Sequence, residues 1–323
     1  MRLAAPDRSP SKPGPGPVPP AVLRSLDLAV MKRIESLIPG EHLTPQVGQG
    51  TELAMIRPYF PGDDVRHIDW NATARMQEPY VRVHVGERAL TTWLVLDVSA
   101  SMAFGTADRR KADVAEGVGL AIGHVATRRG NRLGVLAFGA GEPRILRPRQ
   151  GRNGLLALLA ELRREGAGAP TSLGSALASA AALGRQRGLV VIVSDFRGDR
   201  DWETPLQTLR ARHGVLACEI RDPREQELVP AGDLWLVDPE TGRQLQVDTR
   251  KRRVRQRFAA AAAKEREEVA AALRRAGADH VVLSTEGDWL KTLAGYLKRG
   301  EAALRAGNST RAAVAARLQA SAS

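Results

Sequence analysis

From Thr91 onward the chain alternates short, almost uninterrupted apolar runs with stretches whose apolar residues recur at helical spacing. The runs are Trp93 to Leu96, Leu133 to Phe138, Leu189 to Ser194, Val215 to Ile220 and His280 to Leu283. A strand with one wet face alternates apolar and polar residues, whereas continuous runs belong to strands covered on both faces. Between them, Val114, Val118, Ile122 and Val125 share one helical stripe. Leu155, Leu158, Leu159 and Leu162 form a second, and Leu173, Leu177 and Ala181 a third. Strand–helix alternation of this kind predicts an α/β fold over residues 91–300: a mostly parallel, Rossmann-like central sheet with helices on both faces.

The flanking segments read differently. Leu234 to Val237 and Gln244 to Val247, joined across Pro239 to Gly242, predict a β-hairpin inserted at about 232–249. An alanine-rich helix follows, from about Arg255 to Ala276. Residues 1–20 carry seven prolines and read as a disordered tail. Residues 21–40 read as a helix, with Leu23, Leu26, Val30 and Ile34 on one face and Pro39-Gly40 ending it. Residues 41–90 read as a small β-rich region in which Val81, Val83 and Val85 alternate as a half-buried strand does. Pro61-Gly62 suits the centre of a type II turn, Gly62 supplying the positive φ. Residues 301–323 read as a helical or disordered tail.

Composition narrows the setting. A single cysteine, Cys218, allows no internal disulfide. No apolar run is long enough to cross a bilayer, and prolines stand where a signal peptide needs its apolar core. A cytoplasmic protein is the expectation. The net charge of +12 invites a nucleic-acid reading. Most basic residues, however, are spread along helices, as an arginine-rich composition produces. The dense block of Arg250, Lys251, Arg252, Arg253, Arg255 and Arg257 has no aromatic beyond Phe258 on which bases could stack. The tryptophans read as core or interface packing.

The chemistry gathers at strand ends. The first central strand runs out into Asp97-Val98-Ser99-Ala100-Ser101, where side chains two apart point the same way. Pro170-Thr171-Ser172-Leu173 sets a threonine just before a helix, and a later buried strand ends in Ser194-Asp195. In an open α/β sheet, ligands sit beyond the carboxyl ends of the strands. Asp97, Ser99, Ser101, Thr171 and Asp195 offer only hard oxygen, which suits Mg²⁺ or Mn²⁺ and disfavours zinc. A plainer reading stands beside this one: the hydroxyls cap helices and the aspartates accept backbone amides.

The same pattern resembles the metal-ion-dependent adhesion site of von Willebrand factor A domains. Upstream, Arg57, Tyr59, Pro61, Gly62, Asp63, Asp64, Arg66, Asp69 and Trp70, with Arg75 behind them, resemble the signature of the bacterial domain-of-unknown-function family 58. The resemblance implies a non-enzymatic interaction module that grips a partner Asp or Glu through the cation. It also implies a MoxR-type AAA+ ATPase as partner. The signature residues themselves read as a salt-bridge network fixing the N-terminal segment to the sheet, with a docking surface as the alternative. Many A domains carry glycine after the last aspartate; here it is Phe196, read as a shield over the metal or a rim on which a partner packs.

Two other functions compete. A metal-dependent phosphohydrolase would use Asp97 as nucleophile, but the general acid such enzymes want two residues on is replaced by Ser99. A nucleic-acid binder would work through the basic block at 250–257.

Overall fold

The Pro-Gly-Asp-Asp segment folds upon itself. It lies within residues 39–89, one of two compact units into which the chain divides, residues 1–38 and 90–323 forming the other. The computed structural model describes residues 11–22, 52–85, 90–127, 131–139, 141–151, 172–184, 186–237 and 242–299. Most of the helix expected over 21–40, the tail at 301–323, the Leu155–Leu162 stripe and Thr171 lie outside the described residues.

In the smaller unit, strand β1 (Glu52–Pro58) pairs antiparallel with β2 (Tyr80–Val85), and helix α1 (Trp70–Met76) lies between them in sequence. Phe60 O accepts from Asp63 N at 3.0 Å across Pro61-Gly62, and Gly62 has φ +108°. Glycine serves there because the third position of such a turn lies in the left-handed region. Arg57 forks onto Asp63, Nη1 to Oδ2 at 2.7 Å and Nη2 to Oδ1 at 2.8 Å. Asp64 accepts from Arg66 N at 2.9 Å and caps the short turn of Val65–His67. Tyr59 N donates to Pro79 O. Asp69 caps α1, accepting from Asn71 N at 2.9 Å and Ala72 N at 3.0 Å, and takes Arg82 Nε at 2.8 Å on its other oxygen. Arg75 lies in the last turn of α1, where a cation opposes the partial negative charge of the helix end.

The signature's ion pairs are thus local. Arg57–Asp63 and Arg82–Asp69 join parts of one unit, and Arg82 was not singled out by the sequence. The guanidinium groups of Arg57 and Arg82 hold the carboxyls of Asp63 and Asp69 below the usual range. Trp70, read as core or interface packing, is 72% exposed and so lies outside the core. Asp69→Ala removes a helix cap and an ion pair together and should destabilise this unit by about 1–2 kcal/mol. Limited proteolysis within residues 52–85 would read the change, and cleavage no faster than in the parent would refute it.

In the larger unit, the apolar runs become strands β3 (Thr91–Asp97), β4 (Arg132–Phe138), β6 (Gly188–Ser194), β7 (Gly214–Arg221) and β10 (Asp279–Ser284). With β5 (Arg144–Gln150) they form one six-stranded sheet in the order β10-β7-β6-β3-β4-β5. All neighbouring pairs are parallel except β4–β5. Numbered along the chain, the order is 3-2-1-4-5-6, the doubly wound Rossmann arrangement, with an antiparallel third strand at its edge. The expected fold class holds.

Successive side chains take opposite faces of the sheet. Leu94, Leu96, Val191 and Val193 join one buried cluster, while Trp93, Val95, Val190 and Ile192 join the other. Helix α2 (Lys111–Ala126) and a final helix, α6 at 289–299, cover the first face. Helices α3 (Leu173–Leu183), α4 (Glu203–Arg210) and α5 (Arg252–Arg275) cover the second. Trp93, Trp202 and Trp289 are core residues; Trp235 is half exposed.

Residues 11–20, inside the stretch read as a disordered tail, and residues 21–22, at the start of the expected helix, are held against the first face. Trp289 Nε1 donates to Pro15 O at 3.1 Å, Arg109 Nη1 donates to the carbonyls of Lys12 and Gly14, and Val18 and Val22 pack on the core. Proline cannot donate to a ladder, but carbonyls in a proline-rich segment still accept. Strands β8 (Asp233–Val237) and β9 (Gln244–Asp248) form a separate antiparallel hairpin. Part of the basic block closes its base: Arg250 pairs with Asp248 and Asp233, and Arg255 Nη1 donates to the carbonyls of Thr249 and Arg250. Among the described residues, no helix is long and apolar enough to cross a membrane.

Candidate metal centre

Strands β3 and β6 lie side by side and parallel, and the helices that follow them, α2 and α4, pack on opposite faces. Their carboxyl ends therefore part at the topological switch point, the crevice where doubly wound sheets bind ligands. Asp97 closes β3, and Asp195 follows Ser194, the last residue of β6.

The loop after Asp97 is drawn back over this edge. Val98 N donates to Phe138 O at 2.8 Å, holding the loop to the end of β4. Gly139, with φ +99°, faces it so closely that an added Cβ would sit 2.7 Å from Ser99 N. Ser99 Oγ lies 3.1 Å from Ser101 Oγ, and Ser101 Oγ donates to Asp195 Oδ2 at 2.8 Å. Asp97 Oδ1 accepts from Ser99 N at 2.9 Å, and Oδ2 from Ser194 Oγ at 2.6 Å. Asp97, Ser99, Ser101 and Asp195 thus share one edge. For Thr171, the neighbouring described residues locate the start of α3: Ser172 caps it through Ser175 N, and Gly174 N donates to Asp201 Oδ1 at 3.1 Å, in the segment after Asp195.

Burial, first, and then the charge of Asp195 raise the Asp97 carboxyl to about 6, against hydrogen bonds from Ser194 and Ser99 that favour its ionised form. A pair of buried carboxylates so close calls for a cation. One is supplied by the chain. Lys111, the first residue of α2, is wholly buried; its Nζ donates to Asp195 Oδ2 at 2.6 Å and to Glu225 Oε1 at 2.8 Å. Glu225 is set by Asp222, whose N donates to Glu225 Oε2 at 3.2 Å. Asp222 in turn accepts from Thr106 N and Oγ1, Thr285 Oγ1 and Arg224 N. Burial alone would raise the Asp222 carboxyl, but these donors hold it below the usual range. Lys111, Ser194, Gly139 and Glu225 were not singled out from sequence. Lysine itself was the available signal for Lys111, being one of seven beside 41 arginines.

Phe196 is neither a rim nor an exposed shield. It is 2% exposed, turned into the second core face with its ring edge-on to Trp202 at 5.5 Å. Its backbone, at φ +54°, is left-handed, which accounts for the glycine that the resemblance led one to expect here. Asp195 also forms part of the wall of a cleft with Arg197, Glu219, Arg221, Glu225 and Arg266.

The donors fit a hard divalent ion. Beside the Lys111 ammonium, the groups of Asp97, Ser99, Ser101 and Asp195 are carboxylate and hydroxyl oxygens, the set that suits Mg²⁺ or Mn²⁺. Asp97, Asp195 and Glu225 also outnumber the Lys111 ammonium and the more distant Arg197 guanidinium, so negative charge is left over.

Fold and edge together define a doubly wound α/β domain with an oxygen-rich switch point. The chain belongs to the family described as "Protein of unknown function DUF58", whose family model matches residues 55–268. It is 40% identical over 282 residues to the uncharacterized protein Rv1480 of Mycobacterium tuberculosis, covering 86% of this chain and 88% of that one. The uncharacterized protein Mb1516 of Mycobacterium bovis is similar to the same extent. Among solved structures, the conserved hypothetical protein BatB from Bacteroides thetaiotaomicron is 13% identical with a TM-score of 0.41, covering 65% of this chain and 98% of that one. The SpRpn10 VWA domain is 14% identical with a TM-score of 0.36, covering 65% and 95%. The fold assignment rests on the chain's own strand order.

Proposed function

We propose that this protein is a metal-dependent protein-interaction module, holding Mg²⁺ or Mn²⁺ through Asp97, Ser99, Ser101 and Asp195, with Thr171, and gripping a carboxylate of a partner protein. The observation that carries this reading is the convergence of two carboxylates and two hydroxyls from separate strand ends on one edge, with Ser101 Oγ 2.8 Å from Asp195 Oδ2. A cation bound there would supply an electrophilic position for one further anionic oxygen. The chain's residues do the rest. Asp97 and Asp195 balance the charge, the serine hydroxyls add ligands without adding charge, and Gly139 and the Val98 bond hold the loop in place. Both carboxylate oxygens of Asp97 are engaged, by Ser99 N and Ser194 Oγ, which favours a positioning role over a nucleophilic one.

The partner that the family resemblance suggests is a MoxR-type AAA+ ATPase, presenting an exposed Asp or Glu. The full chain, immobilised in Mg²⁺, should retain the purified MoxR-type ATPase of the same organism and release it on adding EDTA. Retention that survives the chelator would refute the metal grip, and metal-dependent turnover of generic phosphoesters would refute the non-enzymatic reading.

A further inference from the structure

A metal-binding role at this edge does not require Lys111. Its side chain is fully buried, and an ammonium withdrawn from water must be paired. Its pairing is specific. Asp195 Oδ2 is the oxygen that ends the hydroxyl chain from Ser99 through Ser101, and Lys111 Nζ approaches it more closely than Ser101 does, 2.6 Å against 2.8 Å. Asp195 Oδ1 meanwhile accepts from Arg197 N at 3.1 Å. A divalent ion drawing on Asp195 therefore meets a carboxylate already neutralised by the protein.

The second partner makes exchange feasible. Glu225 holds the same ammonium at 2.8 Å and is itself fixed through Asp222 N. If Lys111 yields Asp195 to a metal ion, it keeps the part-buried carboxylate of Glu225 and is not stranded. Lysine suits this better than arginine: its charge is compact and its donors rotate, whereas a guanidinium locks into a planar fork.

We propose that Lys111 is a resident counter-cation that sets the affinity of the site for a divalent cation: ammonium and metal compete for Asp195 Oδ2, and the metal-bound state leaves Lys111 on Glu225. The competitor's identity rests on the divalent-cation reading above; the competition itself rests on the contacts of Lys111.

The test is Mn²⁺ binding to the full-length protein, followed by electron paramagnetic resonance and calorimetry. Lys111→Met should bind Mn²⁺ about tenfold or more tighter than the parent, the scale on which one charge within ~4–6 Å alters a carboxylate's affinity for a proton. Because Lys111→Met leaves the part-buried Glu225 with only the longer pairing to Arg197 Nε, at 3.7 Å, the double variant Lys111→Met/Glu225→Gln is measured beside it and should show the same gain. Adding Asp97→Asn should abolish the gain, locating the ion at this edge. Parent-like or weaker affinity in folded Lys111→Met and in the double variant, with the parent binding Mn²⁺, overturns the role of Lys111 and leaves the metal reading standing. No Mn²⁺ binding by the parent or by any variant overturns both.

Discussion

Asp97→Asn should abolish divalent-cation binding and partner capture while leaving the metal-free protein at least as stable as the parent. The substitution keeps the shape of the side chain and removes a charge the fold holds at a disadvantage. Asp97 is buried at 6% exposure, and its carboxyl is raised to about 6 by that burial and by Asp195. Neutralising it in the presence of a chelator therefore relieves a repulsion, and the amide can still accept from Ser99 N or Ser194 Oγ. For binding the sign reverses. A divalent ion balanced by Asp97 and Asp195 loses half of its counter-charge, and the loss should exceed the roughly 10–100-fold that changes to outer-shell residues cause. Calorimetry with Mn²⁺ and thermal melts in EDTA measure the two halves separately. A large fall in metal-free melting temperature would show that Asp97 is a structural acceptor, the plainer reading of this loop. Unchanged Mn²⁺ affinity would remove it from the site.

At Phe196, replacement by alanine should destabilise the α/β domain by about 3–5 kcal/mol, the usual loss for a buried aromatic, and replacement by glycine should do less harm. That order inverts the ordinary one, in which glycine is worse than alanine by about 0.5–1 kcal/mol. Both variants lose the edge-on contact with Trp202 and open the same cavity. They differ in the backbone. At φ +54° a residue with a Cβ carries a penalty of about 1–2 kcal/mol that glycine escapes. Phe196→Gly should therefore be about 1 kcal/mol more stable than Phe196→Ala, a difference of about 2–4 °C in melting temperature for a domain of this size. An alanine variant that matches or exceeds the glycine variant would mean that the loop relaxes out of the left-handed region once the ring is gone. Because Phe196 N also donates to Ser194 Oγ at 3.0 Å, and Ser194 to Asp97, the packing of this ring is linked to the edge that carries Asp97.

Much of the scaffold was legible in the residues themselves. Continuous apolar runs mark strands covered on both faces, so β3, β4, β6 and β7 announced a doubly covered sheet; β10, at its edge, has the same kind of run but leaves Val282 37% exposed. The edge strand β5 did not. Its alternating exposure, its arginines and Pro148 at an irregularity opposite Gly134 give it the pattern of a loop. Asp97, Ser99 and Ser101 were legible because they lie within one short loop, and Asp195 because it ends a strand of the same kind. The attachment of residues 11–20 was not legible because prolines exclude a ladder without excluding attachment through carbonyls.

The sequence by itself determined which segments are strands and helices and which strand ends carry oxygen donors, because backbone periodicity and exclusion from water act over a few residues. Only the tertiary structure decided what meets those donors. Lys111 is 84 residues from Asp195 and 114 from Glu225 along the chain, and its contact with both follows from the order of the strands and the faces their helices take. Phe196 likewise turns inward because Trp202 waits in the core beside it. Contacts of this kind arise when separate elements are stacked, and no local pattern encodes that stacking.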